Sequence, residues 1–241
     1  MAKEYNWRVY PSSEPYEIKR YRENVICISG GLKLESSDLG CRMTLIKLKS
    51  NKWLLHSPIP PTSQIFDFID QLGVIQIVVA PNSLHHLFID EYLKKYGATL
   101  LAVQDALDKT KIGYKNTELL DDSYSELKTE FEIEIVKGKK VEEAVLFHIE
   151  SKTLMLTDLA FNRRVPRNLF MRFVEKHMGM SAPLGPSVLA KYVFFGDSAP
   201  FRSSLKKIAS WDFERVTMCH GEVIESGGKS QFINGFKKYL N

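Results

Sequence analysis

Three cysteines, Cys27, Cys41 and Cys219, are all that this chain of 241 residues contains. They are too few and too scattered for a disulfide framework, and no CxxC pair offers a zinc ribbon or a redox motif. Glycine (14) and proline (10) are too sparse for a collagen-like or low-complexity chain. No window nears the roughly 18 uninterrupted apolar residues that crossing a bilayer requires. The opening stretch, MAKEYNWRVYPSSEPYEIKRY, lacks the apolar segment of a signal peptide. A soluble protein of a reducing compartment is expected, hence a cytoplasmic one without a membrane partner. Signature loops are missing too: there is no GxSxG elbow, no Walker A sequence and no GxGxxG.

Charge of one sign is not concentrated either. The formal net charge is +4, with thirteen Lys+Arg against six Asp+Glu over residues 160–241 and twenty against twenty-three before them. That surplus comes without dense basic runs and interleaved aromatics, so no nucleic-acid partner is expected. A small-molecule ligand, anionic in character, fits it better. Oligomeric state is not legible.

What is present suffices for a core. With 44% hydrophobic residues, a chain this long buries about three-quarters of its unfolded surface. No repeat or linker divides it, so residues 1–241 are read as one domain. WRVY, VICISGGLKL, CRMTLIKL and KWLLH read as strands, and Ser50-Asn51 as the turn of a hairpin. Three prolines in SPIPP stop the last of these strands after His56. Thr62 caps a helix expected to close at Gly73, VIQIVVA is a strand buried on both faces, and Leu84 to Tyr96 reads as a second helix closed by Gly97. ATLLAV completes an αβαβ unit, the pattern of a parallel layer. FEIEIV, EEAVLFHI, TLMLTDLA and ERVTMCHG are further strands. NLFMRFVEKHMG, SVLAKYVFFG, FRSSLKKIASW and KSQFINGFKKYLN read as helices. The economical packing is an α/β fold, a four-layer αββα sandwich of two mixed sheets with helices outside.

Of the six histidines, four (His56, His85, His86 and His220) lie just past the end of an apolar strand. Sites gather at that edge, because strands hold several loops in fixed geometry. Asp158 stands there as well, where a carboxylate is costly unless paired or bound to a cation. Imidazole and carboxylate are ligands of Zn²⁺, Fe and Mn. Each residue also has a plainer reading. His56 can cap its hairpin, His85 and His86 can face solvent at a helix start, Asp158 can cap a turn, and His220 can end a strand. His148 alternates with apolar neighbours and His177 closes a helix; both read as structural. Cys219 and His220 are strand neighbours facing opposite ways, a poor nucleophile–base pair. Arg163, Arg164, Arg167 and Arg172 follow Asp158 and can line an anion pocket or simply be solvated.

WLLHSPIPP, LGVIQIVVAPNSLHHLF, LMLTDLAFN and ERVTMCHGEVI together resemble the metallo-β-lactamase-fold superfamily, and within it the divergent DUF4336 branch. Catalytic members carry HxHxDH after a strand, which falls here on Pro81-Asn82-Ser83-Leu84-His85-His86. The resemblance implies that the imidazoles of a first metal are gone, while His85, His86, Asp158 and His220 remain as metal ligands. One Zn²⁺, or Fe or Mn, is then the implied cofactor, in a mononuclear site. The implied function is metal-dependent hydrolysis, with His56 and Asp158 catalytic and Arg163 and Arg164 holding substrate. The alternative is a catalytically inactive module that binds a ligand or partner on the same fold.

Overall fold

A computed structural model describes residues 9–11, 16–34, 37–38, 40–110, 116–121, 124, 127–137, 141–162, 184–186 and 198–241. The strands are β1 (Val9–Pro11), β2 (Glu17–Arg22), β3 (Val25–Gly30), β4 (Leu32–Leu34), β5 (Ser37–Asp38), β6 (Cys41–Lys47) and β7 (Trp53–His56). They continue with β8 (Ile75–Ala80), β9 (Thr99–Ala102), β10 (Thr117–Leu119), β11 (Phe131–Ile135), β12 (Ala144–His148), β13 (Thr153–Leu156) and β14 (Arg215–Met218). The helices are α1 (Ser63–Asp70), α2 (Ile89–Tyr96), α3 (Gln104–Thr110), α4 (Ser198–Ser210), α5 (Gly228–Gly235) and α6 (Lys237–Leu240). None of the described helices is long and apolar enough to cross a membrane.

The large sheet runs β10-β9-β8-β7-β6-β3-β2. Its β7 to β10 half is parallel and its β2, β3, β6 half antiparallel, the two meeting at the antiparallel β6–β7 pair. The second sheet, β11-β12-β13-β14, is antiparallel except for its last pair. Both sheets are therefore mixed, as expected of the αββα sandwich.

Alternation along the second sheet sets the layers. Ala144, Leu146 and Met155 join the core that includes β3, β6, β7 and β8. Val145, Phe147, Leu154 and Leu156 instead join Phe201 and Leu205 of α4, Phe232 of α5 and Phe236 between α5 and α6. A period of two thus sends one face of each strand inward and the other to the helices. Ile65 and Ile69 of α1 and Tyr92 of α2 pack with the large sheet. Between the sheets the seam is partly polar, with Thr44 Oγ1 donating to Thr217 Oγ1 at 3.2 Å.

Several local readings needed correction, among them KSQFINGFKKYLN, which is two helices, α5 and α6, separated at Phe236. VICISGGLKL is two strands, because pairing in the large sheet ends at Gly30 and β4 pairs with β1 in a small separate sheet. Helix α1 starts on the Thr62 hydroxyl, which accepts from Ile65 N, but ends at Asp70, and Gly73 (φ +110°) belongs to the turn beyond it. The second helix begins only at Ile89; residues 83–88 are turn, because Asn82 diverts the backbone before it. Gly97, in the left-handed region at φ +61°, closes α2 as expected. The segments NLFMRFVEKHMG and SVLAKYVFFG, with His177, lie outside the described residues.

His148 ends β12 among apolar neighbours at 1% exposure, its Nδ1 2.7 Å from Ser151 Oγ. Burial, helped by the charge of Lys49, lowers its pKa to about 4. A histidine depressed on folding contributes stability that is complete above its unfolded pKa of about 6.5 and lost as pH falls through about 4. His148→Gln should therefore flatten the pH dependence of stability over that window by about 1–3 kcal/mol. Urea unfolding at a series of pH values measures this.

Candidate metal centre

Four chain segments meet at one edge of the sandwich, and Asp158 is where they converge. It follows β13 in a bend, and Glu143, buried just before β12, holds that bend. Glu143 Oε1 accepts from Thr157 N at 3.0 Å and Leu159 N at 3.1 Å, the two amides flanking Asp158. Glu143 also bridges to Asn82 through the backbone, and Ala144 N donates to Pro81 O at 2.8 Å. The end of β8 in one sheet is thus stitched to the start of β12 in the other.

Asn82 uses both ends of its side chain. Its Oδ1 accepts from Leu84 N (2.8 Å) and His85 N (2.9 Å), an Asx turn that starts the bend carrying the histidines. Its Nδ2 donates to Asp158 Oδ2 at 2.8 Å and to Thr157 Oγ1 at 3.0 Å.

His85 then faces the same carboxylate, with Nε2 3.2 Å from Oδ2 and Nδ1 2.7 Å from Ser57 Oγ. His220 arrives from β14, with Nε2 3.7 Å from Asp158 Oδ1 and Nδ1 donating to Gly40 O at 2.9 Å. Its ring stacks on Phe161 at 5.6 Å between centroids. Arg42 steadies this arm: one guanidinium nitrogen donates to Met218 O (2.8 Å) and Gly221 O (2.6 Å), the carbonyls on either side of Cys219-His220. Gly221 adopts φ +104°, and a Cβ there would strike the backbone of Asn162.

One ligand atom each from His85, Asp158 and His220 lies within 4.8 Å of the other two. This donor set, two imidazoles and one carboxylate, fits a single divalent ion such as Zn²⁺, Fe²⁺ or Mn²⁺. The electrostatics favour positive charge beside Asp158, which a proton on His85 or a divalent ion that displaces it can each supply. Burial opposes ionisation of Asp158, but the charge and hydrogen bond of His85, the charge of His220 and the Asn82 amide outweigh it and hold the carboxyl well below its usual range. Burial likewise pulls His85 down, yet Cys219 and Asp158 outweigh it and raise the imidazole well above its usual value.

The other expected site residues sit elsewhere. His86 is part-buried with Nδ1 2.7 Å from Ser83 O, fastened to its own turn, and is not one of the three converging residues. His56 lies at 1% exposure, its Nε2 without a hydrogen-bond partner, and burial followed by the charge of His85 lowers its pKa to about 3. A ring so sealed from water is badly placed to shuttle protons. Cys219 is buried, its Sγ 3.1 Å from Ser57 Oγ. Arg163, Arg164, Arg167 and Arg172 lie outside the described residues.

Asn82, Glu143, Ser57 and Arg42 went unnoticed in the sequence. Only Asn82 carried a local signal, as an Asx-turn residue after a strand. Replacing Glu143 by Ala leaves two buried amides without their acceptor, a loss of about 2–4 kcal/mol. Glu143→Gln keeps one acceptor oxygen and should lose clearly less, and chemical denaturation of both variants reads the difference.

Comparison with known proteins adds fold and family. The sequence profile of the DUF4336 family (domain of unknown function) matches residues 32–169. No curated protein matches the chain in sequence. The chain is similar in structure to the metallo-β-lactamase FIM-1 from Pseudomonas aeruginosa in its mono-zinc form, with TM-score 0.65 and 13% identity over 96% of this chain and 99% of that one. A metallo-β-lactamase from Pontibacter korlensis superposes with TM-score 0.63 at 10% identity, covering 92% and 99%. The metal-soaked Flv1 flavodiiron core from Synechocystis gives TM-score 0.62 at 10% identity, covering 93% of this chain and 60% of that one. Identities this low establish the shared fold alone.

Proposed function

The chain belongs to the DUF4336 family, and on that footing we propose that it is a single-metal hydrolase built on the metallo-β-lactamase fold. The observation that carries this is one buried carboxylate with an imidazole Nε2 at each of its oxygens, His85 at Oδ2 and His220 at Oδ1. These three residues would hold the ion, and Asn82 fixes the carboxylate between them. Bound there, the ion would supply Lewis acidity and bring the pKa of a water toward 7.

The protein's own groups do the rest. Asp158 and the two imidazoles are anchored from outside, so little rearrangement is required of them. Exposed Leu84 and Leu87 stand beside His85 and His86 on the same turn, an apolar rim for a substrate. A small ester or phosphoester with an apolar group is the substrate class this rim suits. Arg163 and Arg164, five and six residues beyond Asp158, are assigned to an anionic part of that substrate.

Protein purified without added metal should carry close to one zinc, iron or manganese per chain by elemental analysis. His85→Ala, His220→Ala and Asp158→Ala should each lose it. Added zinc at a hundredfold excess over its dissociation constant should stabilise the metal-free wild type by about 2.7 kcal/mol, seen as a rise in melting temperature. Metal-free protein whose melting temperature ignores zinc, iron and manganese would overturn the hydrolase reading. It would leave a binding module whose cluster is closed by the His85–Asp158 ion pair.

A further inference from the structure

His220 and His85 are anchored differently behind the carboxylate. The outer nitrogen of His220 faces the carbonyl of Gly40, which only accepts, so that Nδ1 carries a proton and Nε2 is the atom turned inward. The outer nitrogen of His85 faces a hydroxyl, Ser57 Oγ at 2.7 Å, which can donate or accept. Which it does decides whether Nε2 can offer a lone pair.

We propose that Ser57 is the positioning residue for His85, its hydroxyl oxygen accepting the Nδ1–H and so presenting Nε2 to Asp158 and to the ion; this rests on the single-metal reading above. Three observations support it. Ser57 is 1% exposed, so water does not compete for the bond. Its backbone sits at φ +56°, in the left-handed region that few non-glycine residues adopt. Glycine would occupy that backbone with less strain, so the hydroxyl is the feature that distinguishes serine there. Finally, the Cys219 thiol lies 3.1 Å from the same oxygen, tying the acceptor to the segment that carries His220. The two arms of the cluster are joined beneath the carboxylate as well as across it.

The order Ser57–His85–Asp158 also has the look of a nucleophile, a base and an acid. The burial of Ser57 argues against it, since a substrate carbonyl has no access to an oxygen so enclosed. A serine-directed fluorophosphonate should accordingly leave Ser57 unlabelled, and labelling would overturn the positioning role.

The decisive variant is Ser57→Gly, which removes the hydroxyl and suits the observed backbone, with Ser57→Ala as a second version that keeps Cβ. Zinc binding by calorimetry should weaken about 10–100-fold in either, the usual loss when the outer partner of a ligating histidine is removed. Affinity within twofold of wild type overturns the proposal. The second readout is ¹⁵N–¹H spectroscopy of the imidazole rings in metal-free protein. Wild type should show His85 Nδ1 protonated and slowly exchanging, and the glycine variant should lose that protection while its other histidines keep their shifts. An unprotonated Nδ1 in wild type, or an unchanged His85 signal in both variants, overturns the proposal whether or not metal binds. If wild type takes up no metal at all, the hydrolase reading falls, and the ring spectra alone decide the role of Ser57.

Discussion

A carboxylate taken out of water must be met by positive charge or by hydrogen-bond donors, or its burial works against folding. Asp158, 7% exposed at the edge of two sheets, is met by an amide and two imidazoles delivered from two other strand ends. The end of β8 supplies Asn82 and His85, the end of β13 supplies Asp158 itself, and the end of β14 supplies His220. Strand β8 belongs to one sheet and β13 and β14 to the other. Meeting the needs of this carboxylate therefore fixes how the two layers sit at their common edge.

The scaffold around it repays the same debt with rigid parts. Glu143 grips the amides on both sides of Asp158, and Arg42 the carbonyls on both sides of Cys219-His220. Both are long side chains acting across the chain on backbone atoms, which is how distant segments can be held more tightly than loop entropy alone would allow. The cluster is thereby held by the protein's own hydrogen bonds. Of the segment Pro81 to His86 on which the resemblance placed HxHxDH, only His85 joins Asp158 and His220 in the cluster. With a divalent ion its charge would be positive, which favours an anionic substrate group.

Much of the architecture was legible because it is local. Three prolines after His56, the Thr62 cap, the apolar runs of β8 and β13 and the Gly97 stop are all chemistry of neighbours in sequence. The candidate centre was legible in part: His85, Asp158 and His220 stood out as polar residues after apolar strands. Residues 84–88 misled, since their helical spacing hid an Asx turn made by Asn82. His56 was expected just past its strand at the sheet edge, yet it is the buried last residue of β7 and the register partner of Thr44, whose hydroxyl donates to Thr217 of the other sheet. Glu143, Arg42 and Ser57 had no local signature at all. Their roles exist only through partners 14 to 179 residues away, and spacing along a chain carries no trace of those.

The central claim is that His85, Asp158 and His220 share one ion. Anomalous X-ray scattering from crystals soaked in zinc tests it most directly. The account requires a single peak within coordination distance of both Nε2 atoms and of the Asp158 carboxylate. A peak at some other group of residues, or no peak while His85 stays in contact with Asp158, would contradict it.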